Sequence, residues 1–181
     1  MPLLVPPTRS LHRSFIEALR EYQLENRYVN LDAVTLSGPA EFGAYVDEVV
    51  SWSGAAALLR PGWVPETELW FVEGEGFIGR LTIRHRLTAA LRHVGGHIGY
   101  DVRPSARRQG NATEMLKQGL PFAAALGIDP ALLTCDRSNL ASRRTIEKNG
   151  GTLDSETPEK LRFWVPTRPA YSAVSSGMSP S

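Results

Sequence analysis

Cysteine is nearly absent. Cys135 is the one thiol in 181 residues, so no internal disulfide can form, and a reducing, cytoplasmic setting is expected. Charge of one sign is not in surplus either. Twenty Lys and Arg face 19 Asp and Glu, so the field of the whole molecule favours neither nucleic acid nor an anionic membrane. Any anion site has to be built locally. No apolar run approaches the ~20 residues of a membrane helix. The opening MPLLVPPTRS has no basic region before its apolar residues and is interrupted by Pro6 and Pro7, unlike a signal peptide. The four histidines (His12, His85, His93 and His97) lack metal-ligand spacing with Cys or Asp partners, so no metal is expected. There is no internal repeat. A single domain over 1–166 is expected, followed by a Pro-, Ser- and Gly-rich tail over 167–181 that reads as disordered.

What is present is a regular succession of elements. Leu11, Phe15, Leu19 and Tyr22 recur at helical spacing after Thr8 or Ser10, either of which can cap. Phe42, Tyr45, Val46, Val49 and Trp52 form a second stripe after Ser37-Gly38-Pro39. Both faces are expected to pack on a sheet, with a lid over a ligand as the alternative. Period-two runs follow: a strand over Leu69–Val72, a Glu-Gly-Glu-Gly turn, and a strand over Phe77–Arg84. In the latter Phe77, Leu81 and Ile83 read as one face and Ile78, Arg80 and Thr82 as the other. His85–Val94 reads as loop or short helix, His97–Arg103 as strand, and Gly110–Leu126 as a helix that Pro121 should kink or break. A buried strand over Ala131–Cys135, a helix over Asn139–Asn149 stopped by Gly150-Gly151, and a strand over Leu161–Val165 complete the order. Helices, then antiparallel strands, then strand–helix–strand–helix–strand indicate a mixed α/β (α+β) layer fold with helices on both faces of a central sheet.

The chemistry concentrates in Val102-Arg-Pro-Ser-Ala-Arg107-Arg108-Gln109-Gly110-Asn111-Ala112-Thr113. A strand ends, a short loop carries basic residues, and a helix opens at glycine. The first turn of a helix presents unpaired N–H groups and partial positive charge. Gly110 and the small Ala112 admit a close approach to that backbone. Such a construction cradles phosphate; a plain helix start with solvated arginines is the other reading. No Gly-Lys-Ser/Thr follows, so it is no Walker loop, and the glycines do not fit a Rossmann fingerprint.

Arg107-x-x-Gly110-x-Ala112 resembles the pyrophosphate motif of GNAT acetyltransferases. Leu133–Asp136, Asn139-x-x-Ser142 and Glu147–Gly150 resemble that family's second half. The string from Gly95 to Arg107, with Asn149-Gly150-Gly151 later, looks like an uncharacterised bacterial branch of predicted acetyltransferases. The resemblance covers roughly residues 67 to 165. It implies a GNAT-like central, mixed but largely antiparallel sheet, acetyl-CoA as co-substrate, and transfer of its acetyl group to the amine of a small-molecule acceptor by direct attack. Pantetheine would run along the strand edge near Tyr100 and Val102, as if adding a strand. The diphosphate would sit on the N–H groups of Arg107, Arg108, Gln109, Gly110, Asn111, Ala112 and Thr113. Asn139 would bond the pantetheine, and Ser142 would lie along the coenzyme. Arg108, Arg143 or Arg144 could reach the outer phosphates. A homodimer is common among such enzymes. One departure concerns the family tyrosine that protonates the leaving thiolate. Its place, four residues after Ser142, is Ile146.

For the catalytic role His97 and Tyr100 are the candidates, with Asp101 as competitor. A histidine has the neutral pKa a base needs, but it can equally hydrogen-bond across a sheet. Arg84-His85-Arg86 reads either as a solvated strand end or as recognition of an acidic acceptor. The alternatives to acetyl transfer onto a small amine are another acyl donor, including an aminoacyl-tRNA, and a non-catalytic protein that binds coenzyme A and regulates a partner. A tRNA donor would want a broad basic surface, which the balanced charge does not supply.

Overall fold

The computed structural model describes residues 1–54 and 61–168. β1 (Leu3–Val5), β2 (Glu66–Glu73), β3 (Gly76–Arg84) and β4 (Ile98–Val102) lie side by side in that order, every pair antiparallel. β5 (Ala131–Asp136), β7 (Lys160–Val165) and β6 (Thr152–Glu156) make a second antiparallel sheet in the order β5-β7-β6. The expected central sheet is therefore two antiparallel sheets. They meet at an isolated bridge between Gly96 and Leu133. The Gly96 backbone has φ 65°, and a Cβ there would stand 2.3 Å from the Leu132 carbonyl oxygen. Glycine is what lets the two strands touch at this point.

The helices are α1 (His12–Leu24), α2 (Pro39–Ser51), α3 (Ala89–His93), α4 (Asn111–Ala125) and α5 (Leu140–Lys148). The stripes of α1 and α2 pack on the first sheet rather than forming a lid. Phe15 lies 4.9 Å from Trp70 and 5.2 Å from Phe77, ring centre to centre, in a cluster that leaves Trp70 fully buried. A buried aromatic of this size removes 150–250 Å² from water. α4 covers the opposite face through Met115, Leu116, Leu120 and Ala123, against Phe71, Leu81 and Ile83.

β3 corrects one expectation. Phe71 pairs with Gly79 but Val72 pairs with Phe77, so Ile78 is an extra, bulged residue. A bulge advances the chain by one without changing the partner strand, which inverts the alternation beyond it. Phe77 thus shares the α1–α2 face with Arg80 and Thr82 and not the face of Leu81 and Ile83.

α4 runs through Pro121 without the expected break. Pro121 and Lys117, whose carbonyl loses its donor, are both exposed, so water can replace the missing bond. Two edge strands gave no period-two signal in the sequence. β1 is three residues set among Pro2, Pro6 and Pro7, and β6 is polar and mostly exposed. Thr167, expected to open the tail, is buried and donates its hydroxyl to the Ile128 carbonyl at 2.7 Å. From residue 169 onward the expected tail lies outside the described residues. Among the described residues no helix is long and apolar enough to cross a membrane, and no group of His, Cys, Asp or Glu is placed to hold a metal ion.

Candidate active site

β4 is the inner edge of the first sheet. Arg103 N–H donates to the Ile78 carbonyl and Arg84 N–H to that of His97. Antiparallel alternation then turns the backbone groups of Ile98, Tyr100 and Val102 away from β3. Past the Gly96–Leu133 bridge these groups face the gap between the two sheets. That edge and the openings of α4 and α5 enclose a cavity of about 820 Å³. Of the residues expected to hold coenzyme, Tyr100, Val102, Arg107, Arg108, Gly110, Asn111, Ala112, Thr113, Asn139 and Ser142 all line it. Gln109 does not, and neither does the catalytic candidate His97.

The loop before α4 is built for its backbone. Arg108 has φ 63° and Gly110 φ 84°, the left-handed turns that point successive N–H groups the same way. Arg107 N–H is taken by the Pro104 carbonyl and Thr113 N–H by that of Gly110. Among the described residues none supplies an acceptor to the amides of Arg108 through Ala112. Of the amides from 107 to 113 expected to hold a diphosphate, those of 108 to 112 are left without an acceptor among the described residues. A Cβ on Gly110 would meet nothing within 4 Å, so only its backbone angle demands glycine.

Side chains behave differently from backbone. The Arg107 guanidinium is bidentate to Glu25, both bonds at 2.8 Å, and its Nε donates to the Val102 carbonyl at 3.0 Å. The hydrogen bonds to Arg107 hold the Glu25 carboxyl below its usual range. Arg107 thus fixes the loop to α1. Arg103 and Ser105 do the same through Glu21, whose carboxylate accepts the Ser105 N–H at 2.9 Å and two Arg103 nitrogens. Of the three arginines considered for the outer phosphates, Arg143 pairs with Glu147 at 2.8 Å. Arg108 and Arg144 line the cavity, joined by Lys148 one turn beyond Arg144, and no ion pair is recorded for these three among the described residues. Glu21 and Glu25 were not singled out in the sequence, and only their distant partners Arg103 and Arg107 give them a role.

Asn139 caps α5, its Oδ1 accepting the Ser142 N–H at 3.0 Å. Ile146 is fully buried in the core. A different tyrosine reaches the start of α5. The Tyr100 hydroxyl lies 2.9 Å from Ser142 Oγ and 3.3 Å from the Ser142 carbonyl. Burial, against the hydrogen bond to Ser142, pushes the phenol up to about 12. His97 spans the two sheets instead. Its amide donates to the Leu132 carbonyl at 2.7 Å, and its Nδ1 accepts the Leu132 amide at 2.9 Å. Asp101 is buried, with both carboxylate oxygens held by Arg27 and Tyr28 at 2.8 to 3.0 Å.

The fold is shared with known proteins. The model of the GNAT acetyltransferase domain matches residues 13–152. Among solved structures, RimJ of Mycobacterium smegmatis in complex with CoA-disulfide aligns with TM-score 0.65 at 19% identity, covering 91% of this chain and 81% of that one. The microcin C7 self-immunity acetyltransferase MccE, in complex with acetyl-CoA and AMP, aligns at 0.63 and 11%, over 91% and 92%. A chimeric spermidine N-acetyltransferase SpeG from Vibrio cholerae and hSSAT aligns at 0.59 and 11%, over 92% and 95%. At such identities these likenesses attest the fold. Among curated proteins no sequence matches. The family match spans most of the sequence, and the chain is a member of the GNAT acetyltransferase family, whose co-substrate is acetyl-CoA.

Proposed function

We propose that the protein transfers the acetyl group of acetyl-CoA to the amine of a small-molecule acceptor by direct attack, with Tyr100 as the acid. The observation that carries this reading is the row of unpartnered amides from Arg108 to Ala112, at one end of a cavity whose wall is the unpaired β4 edge. A diphosphate needs such donors, and pantetheine amides need such an edge. Arg108, Arg144 and Lys148 add local positive charge at the same cavity. That patch suits the phosphates of a nucleotide better than the length of a tRNA.

The neutral acceptor nitrogen attacks the thioester carbonyl carbon. A C–N bond forms and the C–S bond breaks. The Tyr100 N–H, turned to the free edge, stabilises the developing oxyanion. The leaving sulfur takes the Tyr100 phenolic proton, the nitrogen sheds a proton to water, and water restores Tyr100. A phenol raised to about 12 keeps its proton throughout the neutral range.

Calorimetry with acetyl-CoA and thiol-release assays on an amine panel test the reading. Gly110→Val puts a branched side chain at φ 84°, a genuine outlier for such residues. It should weaken acetyl-CoA by about tenfold or more, equivalent to ~1.4 kcal/mol. Unchanged affinity would remove the cradle. Binding without transfer to any amine would leave a coenzyme-binding regulator in its place.

A further inference from the structure

A second cavity, of about 220 Å³, adjoins the first. Arg27, Tyr100 and Asp101 line both, so the smaller space opens beside the β4 edge. Its floor is the α1–α2 face of the first sheet, where Arg80 stands opposite Asp101 and Thr82 opposite Gly99. Arg84 follows Thr82 along β3.

Hydrogen-bond supply and demand in this cavity are unequal. Each carboxylate near it faces a guanidinium: Asp101 faces Arg27, Glu68 faces Arg80, and Glu66 faces Arg84 without reaching hydrogen-bond distance. Asp101 is held by Arg27 and Tyr28. Glu68 lies behind the lining and accepts from Trp70 Nε1 at 2.8 Å. The guanidiniums keep donors in reserve. Arg80 is buried, and only its Nη1 reaches Glu68, at 3.4 and 3.5 Å, near the limit of a hydrogen bond. The Tyr45 hydroxyl lies beside it and the Tyr28 ring 3.9 Å beneath it, yet its Nε has no partner. Arg84 Nη1 donates to the Gly95 and Gly96 carbonyls at 3.4 and 3.2 Å, while Nε stands 3.8 Å from Glu66. Gly99 matters here. A Cβ on it would sit 3.7 and 3.9 Å from the two terminal nitrogens of Arg84, and glycine leaves that flank of the guanidinium open. Arg80 has its charge met by Glu68, and what it keeps is a donor without an acceptor, which costs free energy until one is supplied.

We propose that this cavity is the acceptor subsite and that the acceptor is a small amine carrying a carboxylate, bound by Arg80 and Arg84 with its nitrogen toward Tyr100. The inference rests on the transferase reading above and names its substrate class. A guanidinium fork matches a carboxylate bidentately. Neighbouring strands lie about 5 Å apart and residues advance ~3.4 Å, so the β4 edge and the two arginines are separated by roughly 5–10 Å, the reach of a short amino acid. The volume equals only about seven waters at ~30 Å³ each. A polyamine would meet three guanidiniums and no free carboxylate among the lining residues.

The experiment compares short amino carboxylates with their own carboxamides, by calorimetry without coenzyme and by thiol release with acetyl-CoA. The acids should exceed the amides by about tenfold or more in affinity and in kcat/KM, a ~1.4 kcal/mol preference. Arg84→Gln should bring that ratio toward one, Arg84→Lys should restore part of it, and Arg86→Gln, at an exposed residue outside both cavities, should leave it alone. Carboxamides that bind and react as well as the acids overturn the proposal while the transferase stands, as does a preference that survives Arg84→Gln. Failure of acetyl-CoA to bind would overturn the transferase instead, and the titrations without coenzyme would still decide what the small cavity holds.

Discussion

Tyr100 extends from β4 to the N-terminal turn of α5, and its hydroxyl meets Ser142. Its phenol meets α5 one turn before Ile146, the position at which the resemblance places a tyrosine. Tyr100→Phe removes the proton and keeps the ring. Steady-state kinetics should show kcat falling about tenfold to a hundredfold, at the low end for a general acid because a thiolate leaves readily. Acetyl-CoA affinity, read by calorimetry, should hardly change. Equal loss of affinity would make Tyr100 a packing residue. At this scale the helix opening at Gly110 and Ala112 was legible, since it is a local signal. Where Arg107 and His97 find their partners was not. Arg107 is turned to Glu25, 82 positions away, and His97 bridges to Leu132.

Elements decide what the residues face. The Ile78 bulge inverts the start of β3 and so brings Phe77 onto the face of Arg80, beneath the N-terminal helices. No single-strand pattern reveals a bulge, because it exists only relative to a partner strand. Strands β1 and β6 escaped for a related reason: an edge strand among prolines or polar residues is held by its neighbour and not by its own pattern. α4 shows tight packing against the same strand. A Cβ on Gly119 would stand 2.5 Å from Leu81 Cδ1. Gly119→Ala gains ~1 kcal/mol of helix propensity but overpacks the core by about 1–3 kcal/mol. The packing cost should win, and thermal unfolding should shift downward. A raised midpoint would mean that Leu81 yields freely.

The whole molecule is two sheets joined at one bridge and braced by α1. His97 sits at that junction, and burial, aided by the Arg92 charge, depresses its pKa from 6.5. The folded state then binds fewer protons than the unfolded one. Its contribution is complete above about pH 6.5 and lost as pH falls below it. Glu21 ties α1 to the loop after β4. Burial alone would raise its carboxyl, but the hydrogen bonds of Arg103 and Ser105 outweigh that and lower it from 4.5. Its stabilisation is present above that value and lost as pH falls through the depressed one. Denaturant midpoints should therefore decline in two stages on acidification. His97→Gln should flatten the first stage and Glu21→Gln the second. A midpoint independent of pH from 7.5 to 5.5 would deny His97 its bridging cost.

The long helices, the inner strands and the helix opening at Gly110 followed from the chain alone, because each rests on a pattern among residues a few positions apart. So did membership of the acetyltransferase family, whose motif is such a pattern. The tertiary structure alone decided that the Arg107 side chain is turned to Glu25, that the Tyr100 hydroxyl meets Ser142 at the start of α5, and that Arg80 and Arg84 share a cavity with Asp101. Those outcomes depend on strand register and the closing of two sheets at Gly96, which are relations between distant segments that no local pattern encodes.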